Sequence, residues 1–127
     1  MSIPHILLVD DYPADNFLHR RLLLSAKLAQ VVSVCENGRD ALDWLQQCST
    51  DNIPGLILLD LNMPVMDGWG FLHAHALLPL EQQVAQVLIM LSTSLPPARE
   101  AELGQHTQVK GCVAKPLSID AIQELLT

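Results

Sequence analysis

The stretch Leu56-Ile57-Leu58-Leu59-Asp60 decides the fold. Four apolar residues in a row carry no polar face, and the run stops at a carboxylate. A strand of that kind belongs in a parallel sheet covered on both faces, because an antiparallel strand with one wet face would alternate. Two further runs have the same character, His5 to Val9 and Val87 to Leu91. Val31 to Val34 and Cys112 to Ala114 are weaker strands, suited to the sheet edges.

Amphipathic stretches separate the runs. Ala14 to Leu28 reads as a helix with Ala14, Leu18, Leu22 and Ser25 along one face and His19, Arg20 and Arg21 left for solvent. Asn37 can cap a second helix, with Asp40 in its first turn and Ala41, Leu45 and Cys48 inward. Gly68 to Leu78 reads as a third, stopped before Pro79, and Pro97 opens a short fourth over Pro97 to Leu103. Ser118 can cap a last helix with Ile119, Ile122 and Leu126 inward. Strand and helix alternate five times, which implies an α/β doubly wound parallel sheet with right-handed crossovers.

The chain has 127 residues, enough for one domain with a single core over 1–127. Half of the residues are hydrophobic but only 4% are aromatic, so the core must be aliphatic. A net charge of -7 argues against nucleic-acid binding, which needs a basic face to displace counterions. The odd count of three cysteines, Cys35, Cys48 and Cys112, without C-x-x-C spacing, argues against a disulfide framework or a zinc site. No apolar run approaches the roughly 18 residues of a membrane span. A soluble, cytoplasmic protein is the expectation.

The polar residues at the strand ends carry the chemistry. The first strand runs into Asp10 and Asp11, the third into Asp60, the fourth into Ser92 and the fifth into Lys115. In an open α/β sheet, sites form outside the carboxyl ends of the strands. Two carboxylates about 4 Å apart at an effective dielectric near 20 repel by roughly 4 kcal/mol, so such a cluster needs a compensating cation. Oxygen-only donors point to magnesium, with manganese as a possible substitute. One carboxylate oxygen would remain free to attack phosphorus, with the metal, Lys115 and Ser92 around the phosphoryl oxygens.

These segments resemble those of response-regulator receiver domains. Ile6 to Asp11 is similar to the acidic-pair strand of that family, and Leu58 to Gly68 to its phosphorylation segment. Leu91 to Ser94 and Val113 to Pro116 resemble the hydroxyl and Lys-Pro ends of its fourth and fifth strands. The resemblance implies a flavodoxin-like sheet of order 2-1-3-4-5 with five helices. It implies Asp60 as phosphoacceptor and Asp10, Asp11, Asp60 and the backbone carbonyl of Asn62 as magnesium ligands. The Asn62 side chain would face the site, where Asn62 and Ser94 would tune the lifetime of the acyl phosphate. Ser92 would be the switch hydroxyl that turns toward the phosphoryl group and Lys115 the ammonium that pairs with that group, with a cis Lys115-Pro116 bond.

The implied function is a single-domain response regulator that takes its phosphoryl group from a sensor histidine kinase or phosphotransfer protein. It is not an enzyme in its own right, but would assist its own phosphorylation and dephosphorylation. It would signal to an unknown downstream protein, or relay the group onward. The surface of helix 4, strand 5 and helix 5, with Leu95, Leu103, Val109, Leu117 and Leu125, is the expected contact and homodimer face. The alternatives are a degenerate receiver that binds without phosphorylation, and a magnesium-dependent aspartyl-phosphate phosphatase. The latter wants a second acid where Asn62 stands. Two positions depart from the pattern: Cys112 replaces the usual aromatic, and Ser92 the commoner Thr. A readout through loop and helix-4 rearrangement is the expectation.

Other polar or sulfur-bearing residues read as structural. His73 and His75 lie two apart, so a helix points them to nearly opposite sides and they should not chelate together. Trp44 and Trp69 read as packing residues, Cys35 and Cys48 as inert buried thiols, and Met63 and Met66 as packing for the loop after Asp60. Gly38 and Gly104 are isolated glycines at helix ends, not a phosphate-cradling loop.

Overall fold

A computed structural model describes residues 2–127. The strands are β1 (Ile3–Val9), β2 (Ala29–Cys35), β3 (Leu56–Asp60), β4 (Gln86–Leu91) and β5 (Val109–Ala114). The helices are α1 (Pro13–Ser25), α2 (Gly38–Gln47), α3 (Gly68–His75), α4 (Pro97–Leu103) and α5 (Ile119–Leu126). All strand pairings are parallel, and the order is β2-β1-β3-β4-β5. The sheet and its order match the expectation, and each strand extends one to three residues beyond the apolar run that betrayed it.

The unbroken apolar runs exist because successive side chains of one strand feed two cores. Leu7, Val9, Ile57, Leu59, Val87 and Ile89 pack with α2, α3 and Leu103 of α4 on one face. Ile6, Leu8, Leu56, Leu58, Leu88 and Met90 pack with Leu23 of α1 and Ile122 of α5 on the other. Helix starts follow the caps read from sequence. Asn37 Oδ1 accepts the Asp40 N–H at 2.8 Å, and Ser118 Oγ accepts the Ala121 N–H at 3.3 Å. The third helix stops at His75, three residues short of Leu78.

Helix α1 corrects the expectation twice. It ends at Ser25 rather than Leu28, because Lys27 takes a left-handed φ of 58° that turns the chain into β2. Its inward face is Asn16, His19 and Leu23, while Leu18 is 58% exposed. Of the expected stripe, only Leu22 packs against the core, as a half-buried residue. The reason is hydrogen bonding. Asn16 Nδ2 donates to the Asp10 carbonyl at 2.8 Å, and His19 Nε2 accepts the Leu117 N–H at 3.3 Å. Backbone groups at the sheet edge need partners when buried, and α1 supplies them from its polar residues. A pattern of apolar residues alone cannot see that demand.

The remaining readings sort cleanly. All three cysteines are free, and Cys35 is buried, its thiol pushed up to about 11 first by burial and then by Asp40 and Cys48. Cys48 is half-buried rather than fully buried. Trp44 packs partly against the core and meets His5 edge-on at 5.2 Å, and Arg99 lies 4.7 Å from the centre of the Trp69 ring. His75 is a core residue, fully buried and stacked on Phe71 at 5.4 Å, with no partner for either ring nitrogen among the described residues. His73 is on the surface against His106, so the pair is not brought together.

Two predictions follow from the burial. Leu23→Ala should cost about 2–5 kcal/mol in urea unfolding, while Leu18→Ala should stay within about 0.5 kcal/mol. Burial holds His75 below its ordinary 6.5, so the folded protein resists a proton that the unfolded chain accepts. The stability this contributes is present above pH 6.5 and is lost as pH falls through the depressed value. His75→Leu should therefore gain on the parent protein as pH drops from about 7.5 to 5.5, measured by thermal unfolding at each pH.

Candidate functional site

Four strands end at one level and deliver their first polar groups together. Val9 pairs with Leu59, Asp60 with Met90, and Leu91 with Ala114, so Asp10, Asp60, Ser92 and Lys115 emerge on one edge. One carboxylate oxygen each from Asp10, Asp11 and Asp60 lie within 4.8 Å of one another. Lys115 reaches into this set from β5. Its Nζ is 2.6 Å from Asp10 Oδ2 and 3.6 Å from Asp60 Oδ2. The Lys115-Pro116 peptide bond is cis, as the family pattern implies.

A third carboxylate meets the ammonium. Asp15 Oδ2 lies 3.3 Å from Lys115 Nζ. The sequence reading missed it, because an acid two residues after Pro13 looks like an ordinary helix start. Neighbouring residues then fix Asp10. The Tyr12 N–H donates to Asp10 Oδ1 at 3.1 Å, while Asn16 holds the Asp10 carbonyl. His19 braces the turn after Lys115 through Leu117. Helix α1 thus ties the β1 end to the β5 end.

The loop after Asp60 is held close by a glycine. A Cβ on Gly68 would stand 2.6 Å from the Asp60 carbonyl oxygen and 2.7 Å from Leu61 Cα, so any side chain there would push α3 off the strand end. Asp67 caps α3 by accepting the Gly70 N–H at 2.8 Å. Within the loop Val65 has a φ of 67°, a strained setting for a β-branched residue, and Met63 and Met66 pack partly against the core. The Asn62 N–H points to Asp60 Oδ1 at 3.4 Å, and Asn62 itself is exposed.

Electrostatics at the edge reflect crowding. Burial, and then the charge of Asp10, push the Asp60 carboxyl above its ordinary range, against the opposing pull of Lys115 and the Asn62 N–H. Burial acts to lower the Lys115 ammonium, but the carboxylates of Asp10, Asp60 and Asp15 outweigh it and leave it raised. Lys115 is therefore a firm cation facing more negative charge than it can offset. The donor set is oxygen only, and its spacing fits a hard divalent cation.

Ser92 is exposed and lines, with Asp60, Asn62 and Thr93, a small cavity of about 60 Å³ beside the acceptor. On its other side Ser92, Thr93 and Ser94 share a cavity of about 290 Å³ with Cys112 and Val113. Cys112 leaves space there. On the expected contact face Leu103 and Leu117 are buried, Leu95 and Val109 are half-buried, and Leu125 is 36% exposed.

Comparison with known proteins agrees with this geometry. The family model described as the response regulator receiver domain matches residues 6–127. The sensor histidine kinase RcsC of Escherichia coli K12 is 31% identical over 122 residues, which is 96% of this chain and 12% of that protein. The chain thus spans about an eighth of the length of that relative. A two-component response regulator from Cytophaga hutchinsonii superposes with a TM-score of 0.88 at 25% identity, covering 99% of this chain and 96% of that one. The receiver domain of sensor histidine kinase PA1611 from Pseudomonas aeruginosa PAO1 has the same fold. Its TM-score is 0.77 at 24% identity, over 97% of this chain and 93% of that one, and it was crystallised with magnesium coordinated in its active-site cleft. With its order of strands, its acidic edge and its Lys-Pro turn, the chain belongs to the response regulator receiver domain family.

Proposed function

We propose that this receiver domain accepts a phosphoryl group on Asp60 from a histidine kinase or phosphotransfer protein, in a magnesium-dependent reaction. The observation that carries the reading is Lys115 Nζ bridging Asp10 and Asp60 within a set of three carboxylates. Magnesium, when bound by Asp10, Asp11, Asp60 and the Asn62 carbonyl, would neutralise the carboxylates and share a phosphoryl oxygen, as it does in phosphoryl-transfer sites generally. Manganese is a chemically suitable substitute.

Asp60 is the nucleophile. Its carboxylate oxygen forms the new O–P bond as the donor's N–P bond breaks, and the donor imidazole leaves with the electron pair. Lys115 already faces Asp60 Oδ2, so its ammonium meets the charge that develops on the phosphoryl oxygens. Ser92 can turn its hydroxyl into the small cavity it shares with Asp60 and serve another phosphoryl oxygen. Asn62, which lines the cavity beside Asp60, would tune the hydrolysis of the acyl phosphate, and the family pattern gives Ser94 the same role. The chain is a phosphoacceptor rather than an independent enzyme, since Asn62 stands where a phosphatase of this chemistry would need its general acid. Its signal passes by protein contact in the cytoplasm, to a downstream protein or to a second copy through α4, β5 and α5. No described helix is long and apolar enough to cross a membrane.

A concrete test uses intact mass. The protein, incubated with magnesium and acetyl phosphate or phosphoramidate, should gain the mass of one phosphoryl group, and Asp60→Asn should gain none. A parent protein that never gains the mass, or an Asp60→Asn variant that gains it equally, would reject the reading. The first result would leave a binding-only receiver.

A further inference from the structure

Lys115 has a partner that the metal site does not use. Its contacts to Asp10 and Asp60 involve oxygens of the residues that form the close set of three carboxylates. Asp15 lies outside that set, yet its Oδ2 is 3.3 Å from the same ammonium. A divalent cation seated on Asp10, Asp11 and Asp60 must compete with Lys115 for the Asp10 and Asp60 carboxylates, and it also repels the ammonium. Lys115 is only 11% exposed, so it cannot simply withdraw into water. Asp15 is 33% exposed in the first turn of α1, where a helix terminus favours negative charge.

We infer that Asp15 is a positioning residue for Lys115, on the premise that the phosphoacceptor reading holds. It holds the ammonium when Asp10 and Asp60 turn to the metal, and it yields the ammonium when a phosphoryl group arrives on Asp60. The arrangement keeps Lys115 beside the acceptor without letting it occupy the metal's oxygens. A carboxylate that merely favoured the helix start would affect helix stability and add a general field at the metal. It would do both whether or not Lys115 were present.

Calorimetric magnesium titration of four proteins separates these roles: the parent, Asp15→Asn, Lys115→Ala and the double variant. Asp15→Asn should weaken magnesium binding about tenfold with Lys115 in place and less than about threefold with it removed, because residues in one ion-pair network are not additive. Asp15→Glu should retain most of the parent affinity. Lys115→Met replaces Lys115→Ala if the shorter side chain prevents folding. Equal weakening in both backgrounds, or no weakening at all, overturns the inference while leaving the phosphoacceptor reading intact. A parent protein that binds no magnesium overturns both.

Discussion

The structure is organised around an electrostatic conflict. A parallel sheet brings the carboxyl ends of its strands to one edge, and this sequence puts carboxylates on two of the three strands at its centre. Asp10 is fully buried and Asp60 partly so, and an oxygen of each lies within 4.8 Å of one from Asp11. Among the described residues, the one internal cation that reaches them comes from a residue 105 positions away from Asp10. Compensation from within the chain therefore rests on a long-range contact between the β1 and β5 ends. Even then compensation is partial: burial, and then the charge of Asp10, leave Asp60 harder to ionise than an ordinary aspartate despite the pull of Lys115.

Helix α1 is shaped by the same conflict. Its inward face is polar because the strand ends offer backbone groups and an ammonium that need holding. Asn16 fixes the carbonyl of Asp10, Asp15 meets Lys115, and His19 supports the turn that aims Lys115. Phe17 and Leu18 are left outward, 66% and 58% exposed. This is also where legibility in the sequence ended. The central strands are readable because a doubly covered parallel strand is apolar throughout, and Asp10, Asp60 and Ser92 because each ends such a strand, while Lys115 ends the weaker edge strand β5. The α1 face is not, since hydrophobic periodicity assumes that apolar residues turn inward. Asp15 was hidden for a related reason: a helix-start acid and an ion-pair partner look alike until Lys115 is brought beside it. His75 was equally opaque, a histidine packed as if it were a Phe.

The other side of the site points to how a phosphoryl signal could leave it. Ser92 stands between the acceptor cavity and the larger cavity beside Cys112. A thiol is too small to fill that space, so movement of Ser92 has no aromatic ring to push. Cys112 also borders a cavity shared with Glu100 and Leu103 of α4, a helix anchored by a single buried residue, Leu103, and by Arg99 over the Trp69 ring of α3. Few buried contacts mean a low local cost of rearrangement. That favours a readout by the β4–α4 loop and helix α4 over one by a rotating side chain on β5.

The central claim is that three crowded carboxylates, only partly offset by Lys115, make a site that a divalent cation completes. Thermal unfolding with and without magnesium tests it most directly, comparing the parent with Asp60→Asn. A cation that binds only the folded state raises the unfolding midpoint with its concentration. Two results are expected. Without magnesium, Asp60→Asn melts a few degrees higher than the parent at neutral pH, because one source of repulsion is gone. With millimolar magnesium, the parent gains and the variant gains much less, so the order narrows or reverses. An equal magnesium shift in both proteins, or a variant less stable than the parent without the metal, would contradict it.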